Sequence, residues 1–286
     1  ENMSDFRVIG IDASLSSTGF TSAEINVDRK YFSKHKSNLF KILTTKYGEE
    51  IPEKCLKSFE ECFICLTANI IEIKEDKETL KELTKIRKQI REDKDQPCHK
   101  DLAKESQLEV KRITDQVTQI MKRIQDIHTE DPMKTFCFIE DYSYHSPGSL
   151  TQLAEMKGML RVEMEKFIQP ITKEFLDMQS YFFITANINT VKKVASLNGN
   201  APKELICDQL KRFGFNYTVK EDDAADSIAV ALAGFYSLYH MFNTFEVPEC
   251  KTAKERNFYK SFIESLETFS TRIGSFEKLN ELMHQW

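Results

Sequence analysis

Four carboxylate residues stand at positions from which they could act together on one substrate. Asp12 ends the apolar segment VIGID and Glu140 ends the segment FCFIE, whereas Asp223 and Asp226 lie in KEDDAADSIAVALAGF. Three residues apart on a helix, Asp223 and Asp226 project from the same face. Carboxylates gathered within a few ångströms cannot all stay ionised without counter-charge, which divalent cations provide.

This set of donors contains oxygen ligands and neither histidine nor cysteine, which favours Mg²⁺ or Mn²⁺ over zinc. Two such ions, roughly 3.5–4 Å apart, hydrolyse phosphodiesters: one activates the attacking water and the other stabilises the leaving oxygen. Each acid alone also has a structural explanation, as a turn former at a strand end or as a helix cap. We interpret Asp222 as such a helix cap, or as a group that contacts the metal ligands and not the metal itself. The complete order, strand Asp, strand Glu and helical Asp-x-x-Asp, is more specific than any one member.

The segments around these acids predict an α/β fold. Residues 6–32 alternate as an antiparallel β-meander that begins with a buried central strand and reaches its third strand at KYFSK. Residues 134–142 and 180–186 predict two further strands. Residues 150–168 and 201–215 predict helices, the latter with Pro202 in its first turn and Gly214 at its end.

Long helical patterns interrupt and extend this α/β core. Residues 53–73 are amphipathic, and residues 80–90 have a thin apolar seam that ends at the break around Pro97. The next helix has heptad spacing, with apolar residues at Ile113, Val117, Ile120, Ile124 and Ile127. We expect an antiparallel helical hairpin, which packs on the sheet or on itself, or else forms a dimer contact or a DNA-embracing arm. The Phe-rich residues past 243 predict a helical cap on the core.

Composition limits the partners of the chain. A net charge of −5 argues against a protein covered in basic residues, but residues 187–220 hold six basic and two acidic residues just before the acidic cluster. No apolar run of about 18 residues predicts a membrane span, and the N-terminal residues lack the apolar core of a signal peptide. We expect a protein that is not secreted and that lies in the cytoplasm or wherever host or viral DNA is processed. Seven cysteines with a single CxxC, Cys62 and Cys65, favour reduced thiols over structural zinc.

Four segments together resemble a known family: VIGIDASLSSTGF, FCFIEDYSYHSPGSLTQLAEMKGMLR, NTVKKVASLNGNAPKELICDQL and DDAADSIAVALA. The order and residue pattern of these segments are similar to those of the RuvC-type Holliday junction resolvases, which belong to the RNase H-like nuclease superfamily. The resemblance covers residues 6–32 and 107–240, and the last segment is its most specific part. It implies an RNase H-like five-stranded mixed sheet flanked by helices, with an inserted helical hairpin. The implied division is 6–47 for the first meander, 48–104 for a helical insertion, 105–242 for the rest of the core and 243–286 for a helical extension.

The resemblance also implies roles for particular residues. Asp12, Glu140, Asp223 and Asp226 match the catalytic and metal-binding acids of a Mg²⁺-dependent endonuclease, in which Mn²⁺ substitutes. Lys203 matches a catalytic lysine that, with Lys192 and the less secure Lys193, engages DNA near the scissile phosphate. Tyr142 and Tyr144 flank the place of an aromatic residue that enters the junction. The implied substrate is a four-way DNA junction cut by paired symmetric nicks, and the implied assembly is a homodimer with no membrane partner.

The chain departs from the family pattern in two loops. The segment LNG retains Gly199 where the family has two glycines, and DASLSSTG lacks the Pro-Gly that usually follows the first acid. Three alternatives stay open. An RNase H-like nuclease with this site could act on other branched, flap, single-stranded or hybrid nucleic acids, since fold alone does not set the substrate. An ATPase related to actin and sugar kinases is disfavoured because later Gly-rich motifs are missing, and a non-catalytic binder is disfavoured because all four acids are present.

Overall fold

A mixed β-sheet forms the centre of the molecule. The computed structural model describes residues 6–25, 29–45, 49–65, 71–92, 98–130, 133–141, 150–174, 181–213, 215, 222–242 and 245–271. Within these ranges the strands are β1 (Phe6–Asp12), β2 (Ser17–Ile25), β3 (Phe63–Cys65), β4 (Ile71–Lys74), β5 (Lys134–Glu140) and β6 (Tyr181–Ala186). All seven residues of β1 are buried, as expected for a central strand.

The order of the strands is β3-β2-β1-β5-β6, with β4 also paired to β2. β1 is antiparallel to β2 and parallel to β5, which in turn is parallel to β6. β3 pairs with residues 23–25 of β2 and β4 with residues 17–20, so two short strands share the third position of the sheet. This arrangement confirms the predicted α/β class, with a mixed sheet of five strand positions flanked by helices.

Nine helices are described in the ranges above. They are α1 (Arg29–Thr44), α2 (Glu53–Cys62), α3 (Lys77–Glu92), α4 (His99–Glu130), α5 (Leu150–Glu174), α6 (Ile188–Ser196), α7 (Lys203–Leu210), α8 (Asp222–Phe242) and α9 (Ala253–Thr271). A 3₁₀ turn, Lys211–Phe213, follows α7. None of these helices is both long and apolar enough to cross a bilayer.

The helices cover both faces of the sheet. On one face α8 lies against β1 and β2 in a core that also includes α1, α2, α6, α7 and α9; Val8 points into this core. On the other face α4 and α5 pack on Ile9 and Ile11. Successive side chains of β1 therefore point into the cores on opposite faces of the sheet, as the two-residue period of a strand requires.

Two predicted elements in the first third of the chain were wrong. KYFSK is the start of α1 and not a strand, because Leu39, Ile42 and Leu43 continue the segment with helical spacing and are buried on one side. Residues 53–73 do not form one helix: α2 ends at Cys62, and the chain then forms β3 and β4 on the edge of β2. A short apolar run of this kind does not distinguish a strand from a helix by its periodicity.

The predicted helical hairpin is formed by α3 and α4. Leu83 and Ile86 of α3 pack against Leu108 of α4. The heptad residues from Ile113 to Ile127 continue along α4 and pack on the sheet and α5. Packing on the sheet is one of the alternatives predicted for this hairpin. α4 spans residue 104, where the predicted insertion was taken to end. At the other end of the chain, Phe262 and Leu266 of α9 join the core of the opposite face, as predicted for a helical cap.

Candidate active site

The first two acids lie side by side at the carboxyl edge of the sheet. Ile11 of β1 is the register partner of Ile139 of β5, and the next residue in each strand is Asp12 or Glu140. Asp12 is buried and Glu140 is half-buried. Their side chains are hydrogen-bonded to each other. The expectation that parallel strands would bring these two carboxylates together is therefore met.

The other two acids are brought in by close packing of α8 on the sheet. Gly19 of β2 is the register partner of Asp12, and a Cβ atom at Gly19 would lie 1.8 Å from the carbonyl oxygen of Asp223. A Cβ atom at Gly10 would lie 2.2 Å from the carbonyl oxygen of Ser227. Because a side chain at either glycine would push α8 away, these glycines set the distance between the helical acids and the strand acids.

A cleft of about 710 Å³ opens at this edge of the sheet. All four predicted carboxylates line it, together with Lys192 and Lys203. The walls are completed by groups from the β1–β2 turn, α4, α5, α6 and α7, which are Ala13, Ser14, Leu15, Ser16, Arg112, Asp141, Leu153, Lys157, Ile188, Val191 and Ile206. One polar surface thus combines acids from β1, β5 and α8 with lysines from three helices.

The two strand acids hold an excess of negative charge that burial makes costly. Burial raises the pKa of Asp12 well above its ordinary value, and the charge of Glu140, the hydrogen bond with Glu140 and the charge of Asp223 raise it further. The pKa of Glu140 is also raised, first by burial and then by the charge of Asp226, whereas the hydrogen bond with Asp12 lowers it. Both pKa shifts favour one proton held between the two carboxyl groups. Sharing one proton is the response of paired carboxylates when no cation lies between them.

Lysines supply the remaining counter-charge. The Lys203 ammonium lies 3.3 Å from a carboxylate oxygen of Asp226, and its side chain is half exposed. Lys192, from α6, lowers the pKa of Glu140. Both lysines can contact a phosphate that enters the cleft from solvent. Lys192 and Lys203 thus both line the cleft, and their contact with DNA near the scissile phosphate stays a prediction.

Sequence reasoning missed Lys157, which is the most enclosed base of the cleft. Lys157 is buried on α5, and its ammonium donates hydrogen bonds to the main-chain carbonyls of Glu140 at 2.6 Å and Asp141 at 3.0 Å. Its charge lowers the pKa of Asp12 and Glu140. A signal was present, since Lys157 occupies a position in the apolar face of α5 that also holds Met156 and Leu160. A charge at a core position of a helix indicates a buried partner.

Arg112 was also missed. It lies on α4, lines the cleft and forms an ion pair with Glu75, which directly follows β4. The main-chain amide of Glu75 donates to the carbonyl of Ser16 at 3.2 Å, and Ser16 also lines the cleft. The base of the helical hairpin therefore forms one side of the cleft. No local pattern around Arg112 separated it from the other charged residues of α4.

One predicted nucleic-acid contact, Lys193, does not line the cleft. The Lys193 ammonium donates to the carbonyl and hydroxyl oxygens of Ser261 and to the hydroxyl of Ser265, so Lys193 ties α6 to α9. Tyr142 and Tyr144 lie outside the residues that the structure describes. The side chain of Asp222 also lies outside that description, although its backbone begins α8.

The turn between α6 and α7 differs from the glycine turn implied by the resemblance. Its left-handed residue is Leu197, with φ of 64°, at the end of α6. The Leu197 amide donates to the carbonyl of Lys193 at 2.8 Å, as in other left-handed helix ends. Gly199 follows two residues later. The turn leads from Lys192 on α6 to Lys203 at the start of α7, so that both line the cleft.

The carboxylate oxygens of the cleft are suitable ligands for a hard divalent cation, although the side chains are not arranged around a cation position. In the described ranges, no three His, Cys, Asp or Glu side chains are arranged so that they could hold a metal ion. Asp12 and Glu140 are bonded to each other, and Asp226 is paired with Lys203. Cation binding therefore requires the shared proton to leave and Asp226 to turn from Lys203. The buried excess of oxygen donors provides the driving force for that exchange.

Comparisons with known proteins add a general likeness of fold. Two structures of RuvC are similar to this chain, one entitled "Thermus thermophilus RuvC structure" and the other "T. thermophilus RuvC in complex with Holliday junction substrate". Each has 13% sequence identity and a TM-score of 0.43. The matches cover 81% and 82% of this chain and 95% of each RuvC chain. No protein-family model and no curated protein matches the sequence. At this level of similarity, the chemistry of the cleft is inferred from the residues of this chain.

Proposed function

We propose that this protein is a metal-dependent nuclease that hydrolyses phosphodiester bonds, with four-way DNA junctions as its substrate. The observation that carries the proposal is the meeting of Asp12, Glu140, Asp223 and Asp226 in one cleft, in which two of the acids must share a proton to tolerate their burial. Perturbed carboxylates in a cleft are typical of catalytic sites. Exposed lysine at the rim supports an anionic substrate.

In this proposal the four acids would hold Mg²⁺, or Mn²⁺ in its place. When bound, the cations supply a nucleophile from water and stabilise the charge on the transferring phosphate. Glu140 and Asp12 provide oxygen ligands from rigid strands, and α8 provides those of Asp223 and Asp226. The raised pKa values of Asp12 and Glu140 have a direct consequence. Protons compete with the cation, so apparent cation affinity falls as the pH is lowered.

The lysines divide into two groups by their surroundings. Lys203 is half exposed and lies beside Asp226, so its ammonium would contact the scissile phosphate and stabilise its added negative charge. Lys192 contacts a neighbouring phosphate from α6. Lys157 is a positioning residue: its hydrogen bonds to the carbonyls of Glu140 and Asp141 hold the end of β5 in place.

The choice of a four-way junction rests on the sequence resemblance of the segments that carry the four acids. A four-way junction has two-fold symmetry, so symmetric nicking calls for two active sites and a homodimer with its axis on that of the junction. Water is the nucleophile in this proposal, and the products are nicks with 5′-phosphates. Selectivity would arise from the shape and deformability of the branch.

The test is cleavage of a labelled mobile four-way junction, beside duplex, flap and RNA–DNA hybrid controls. Reactions contain Mg²⁺ or EDTA and the wild type, Asp226→Asn or Asp208→Asn. Asp208, on α7, is a matched control because it pairs with Lys211 of the following 3₁₀ turn and does not line the cleft. We expect symmetric, Mg²⁺-dependent nicks on the junction that Asp226→Asn abolishes and Asp208→Asn leaves unchanged.

Two other outcomes would change the proposed substrate or contradict the proposed function. Cleavage of flaps or hybrids in preference to junctions would retain the metal site and change the substrate. Absence of cleavage on every substrate, with a folded protein and saturating Mg²⁺ or Mn²⁺, would mean that the four acids are not a working catalytic site.

A further inference from the structure

The outer face of α3 carries a row of basic side chains. Here called the α3 basic stripe, it comprises Lys77, Lys81, Lys85, Lys88 and Arg91, all of them exposed. Successive members are three or four residues apart, which places them along one side of the helix. Leu83 and Ile86, on the opposite side, are buried against α4. The stripe therefore points away from the packed side of the hairpin.

Ion pairing within the hairpin leaves this stripe positive in an acidic protein. Arg87 pairs with Glu105 and Glu109 of α4, and Glu82 pairs with Lys104. Each of these pairs joins a side chain of α3 to a side chain of α4. On the stripe itself, Lys88 lies 3.8 Å from Glu92 at the end of α3, and both side chains are mostly exposed. The chain as a whole has a net charge of −5, so this local concentration of positive charge is not a consequence of composition.

The stripe begins beside the cleft. Lys77 follows Glu75 by two residues, and Glu75 is bonded both to Ser16 and to Arg112, two residues that line the cleft. With a rise of 1.5 Å per residue, the distance along α3 from Lys77 to Arg91 is about 21 Å. The stripe thus extends the basic side of the cleft outward along the hairpin.

We propose that the α3 basic stripe binds the phosphate backbone of a nucleic-acid duplex that leaves the cleft, an inference that rests on the proposed function. A duplex carries one phosphate per about 1.7 Å of its axis over both strands, so a stripe of about 21 Å spans about 12 phosphates, and those on the facing side can contact it. α3 contains no aromatic residue, which favours backbone contacts over base stacking. The stripe therefore adds affinity without sequence preference.

A duplex fits this surface better than an anionic membrane does. A helix that binds a bilayer surface needs an apolar face to enter the lipid beside its basic face. The apolar side of α3 is occupied by α4. Binding at the stripe must therefore be electrostatic, and a regular row of phosphates supplies the complementary charge.

The test compares two variants with the same change in net charge. The stripe variant carries Lys77→Gln, Lys81→Gln, Lys85→Gln and Lys88→Gln. The control variant carries Lys54→Gln, Lys57→Gln, Lys254→Gln and Lys260→Gln, on the exposed sides of α2 and α9, which belong to the core on the opposite face of the sheet. Binding to a labelled four-way junction is measured in EDTA, where no cleavage occurs, across a range of salt concentrations.

We expect the stripe variant to bind roughly 10–100-fold more weakly at about 0.1 M salt, with a salt dependence reduced by about 2–4 in the log–log slope. The control variant should stay within about threefold of wild type. At saturating enzyme, the single-turnover cleavage rate in Mg²⁺ should be unchanged because the stripe lies outside the catalytic cleft. A variant with arginine at the same four positions keeps the charge and should bind like the wild type.

The outcomes separate this inference from the proposed function. If the wild type neither binds nor cleaves nucleic acid, the proposed function fails and the inference fails with it. If wild type binds and cleaves but the folded stripe variant shows the same affinity and salt slope, the inference alone is wrong. Loss of binding to phosphatidylserine vesicles, with DNA binding intact, would assign the stripe to a membrane and overturn the proposal.

Discussion

The carboxylate cleft and the α3–α4 hairpin deal with charge in opposite ways. In the cleft, acids are concentrated beside one another, and the burial of Asp12 and Glu140 favours a proton shared between them. Along the outer part of the hairpin, charges of both signs are exposed or half-exposed and form pairs such as Lys104–Glu82. The first arrangement lowers stability unless a cation is bound, whereas the second has little effect on stability.

This difference indicates which charges have a chemical role. A folded protein can place exposed pairs at low cost, so their presence says little about function. Buried acids of like charge persist against a free-energy cost, and α8 is held against them by two glycines that leave no space for a side chain. We therefore expect the cleft and the hairpin to respond differently to the same kind of substitution.

The largest expected effect follows replacement of Asp12 by asparagine. A cation site contributes several kcal/mol to transition-state stabilisation, and about 1.4 kcal/mol corresponds to tenfold in rate. We therefore expect Asp12→Asn to lower single-turnover cleavage by at least about 10³-fold. A residual rate within tenfold of wild type would remove Asp12 from the catalytic group.

The same variant should change stability in a pH-dependent way. Since the folded-state pKa values of Asp12 and Glu140 are raised, their contribution to stability is full below the ordinary carboxyl pKa of about 4. It is lost as the pH rises through the raised values. In EDTA, the Tm of Asp12→Asn relative to wild type should thus increase from pH 4 upward. Added Mg²⁺ should stabilise the wild type and not the variant; parallel pH curves for the two proteins would contradict this account.

Next in size is the effect of filling the space beneath α8. Gly19→Ala places a methyl group against the Asp223 carbonyl, so α8 must shift and carry Asp223 away from Asp12. We expect the free energy of unfolding to fall by about 1–3 kcal/mol and cleavage to fall with it. Gly158→Ala is the control, because a Cβ atom there meets nothing within 4 Å and alanine favours a helix by up to about 1 kcal/mol. Urea unfolding of both variants checks the difference, and equal stabilities would show that α8 is not held by this contact.

Lys157 tests whether the end of β5 needs a buried positive charge. Lys157→Met removes the hydrogen bonds to the Glu140 and Asp141 carbonyls and should lower the cleavage rate by roughly 10–100-fold, as for other groups that orient metal ligands. It should also move the acidic limb of the pH–rate profile upward, since Lys157 lowers the pKa of Asp12 and Glu140. Lys157→Arg retains the charge and should keep the profile near that of wild type.

The control for Lys157 is Lys166→Met on the same helix, where the side chain is exposed and paired with Glu163. It should leave both the rate and the pH profile unchanged. A loss of rate in Lys157→Met without any movement of the profile would restrict Lys157 to a packing role.

The smallest effect is expected in the hairpin. Glu82→Gln breaks an exposed ion pair with Lys104, and such pairs contribute little because solvent screens them. We expect a change in Tm of less than about 2 °C. A larger loss would mean that the hairpin depends on its ion pairs for structure, and the contrast with the cleft would be weaker than stated.

Part of the site could be predicted because its geometry follows from local pattern. Asp12 and Glu140 were placed together because acids that end neighbouring parallel strands meet at one edge of the sheet. Asp223 and Asp226 were assigned to one helix face from their spacing of three. The α/β class followed in the same way from alternating strands and periodic helices. In each case the relevant residues lie within one element or at its end.

Other parts depended on packing between distant segments. KYFSK lies at the start of α1, whose later residues Leu39, Ile42 and Leu43 pack in the core beneath the sheet, and the third strand position is taken by β3 and β4 from farther along the chain. Lys193 was predicted to contact nucleic acid, and it lies instead against Ser261 and Ser265 of α9. Adjacent lysines on a helix point about 100° apart, so one can face a cleft and the other a neighbouring helix.

The sequence by itself determined the identity of the four acids, the elements that carry them and their preference for a hard cation, because residue type and spacing are local properties. The tertiary structure alone decided that two further bases accompany them. Lys157 reaches the acids from α5 and Arg112 reaches the cleft from α4, through contacts between segments far apart in the chain. The direction of a side chain depends on how its helix is rotated in the core, and that rotation is set by the packing of every neighbouring element.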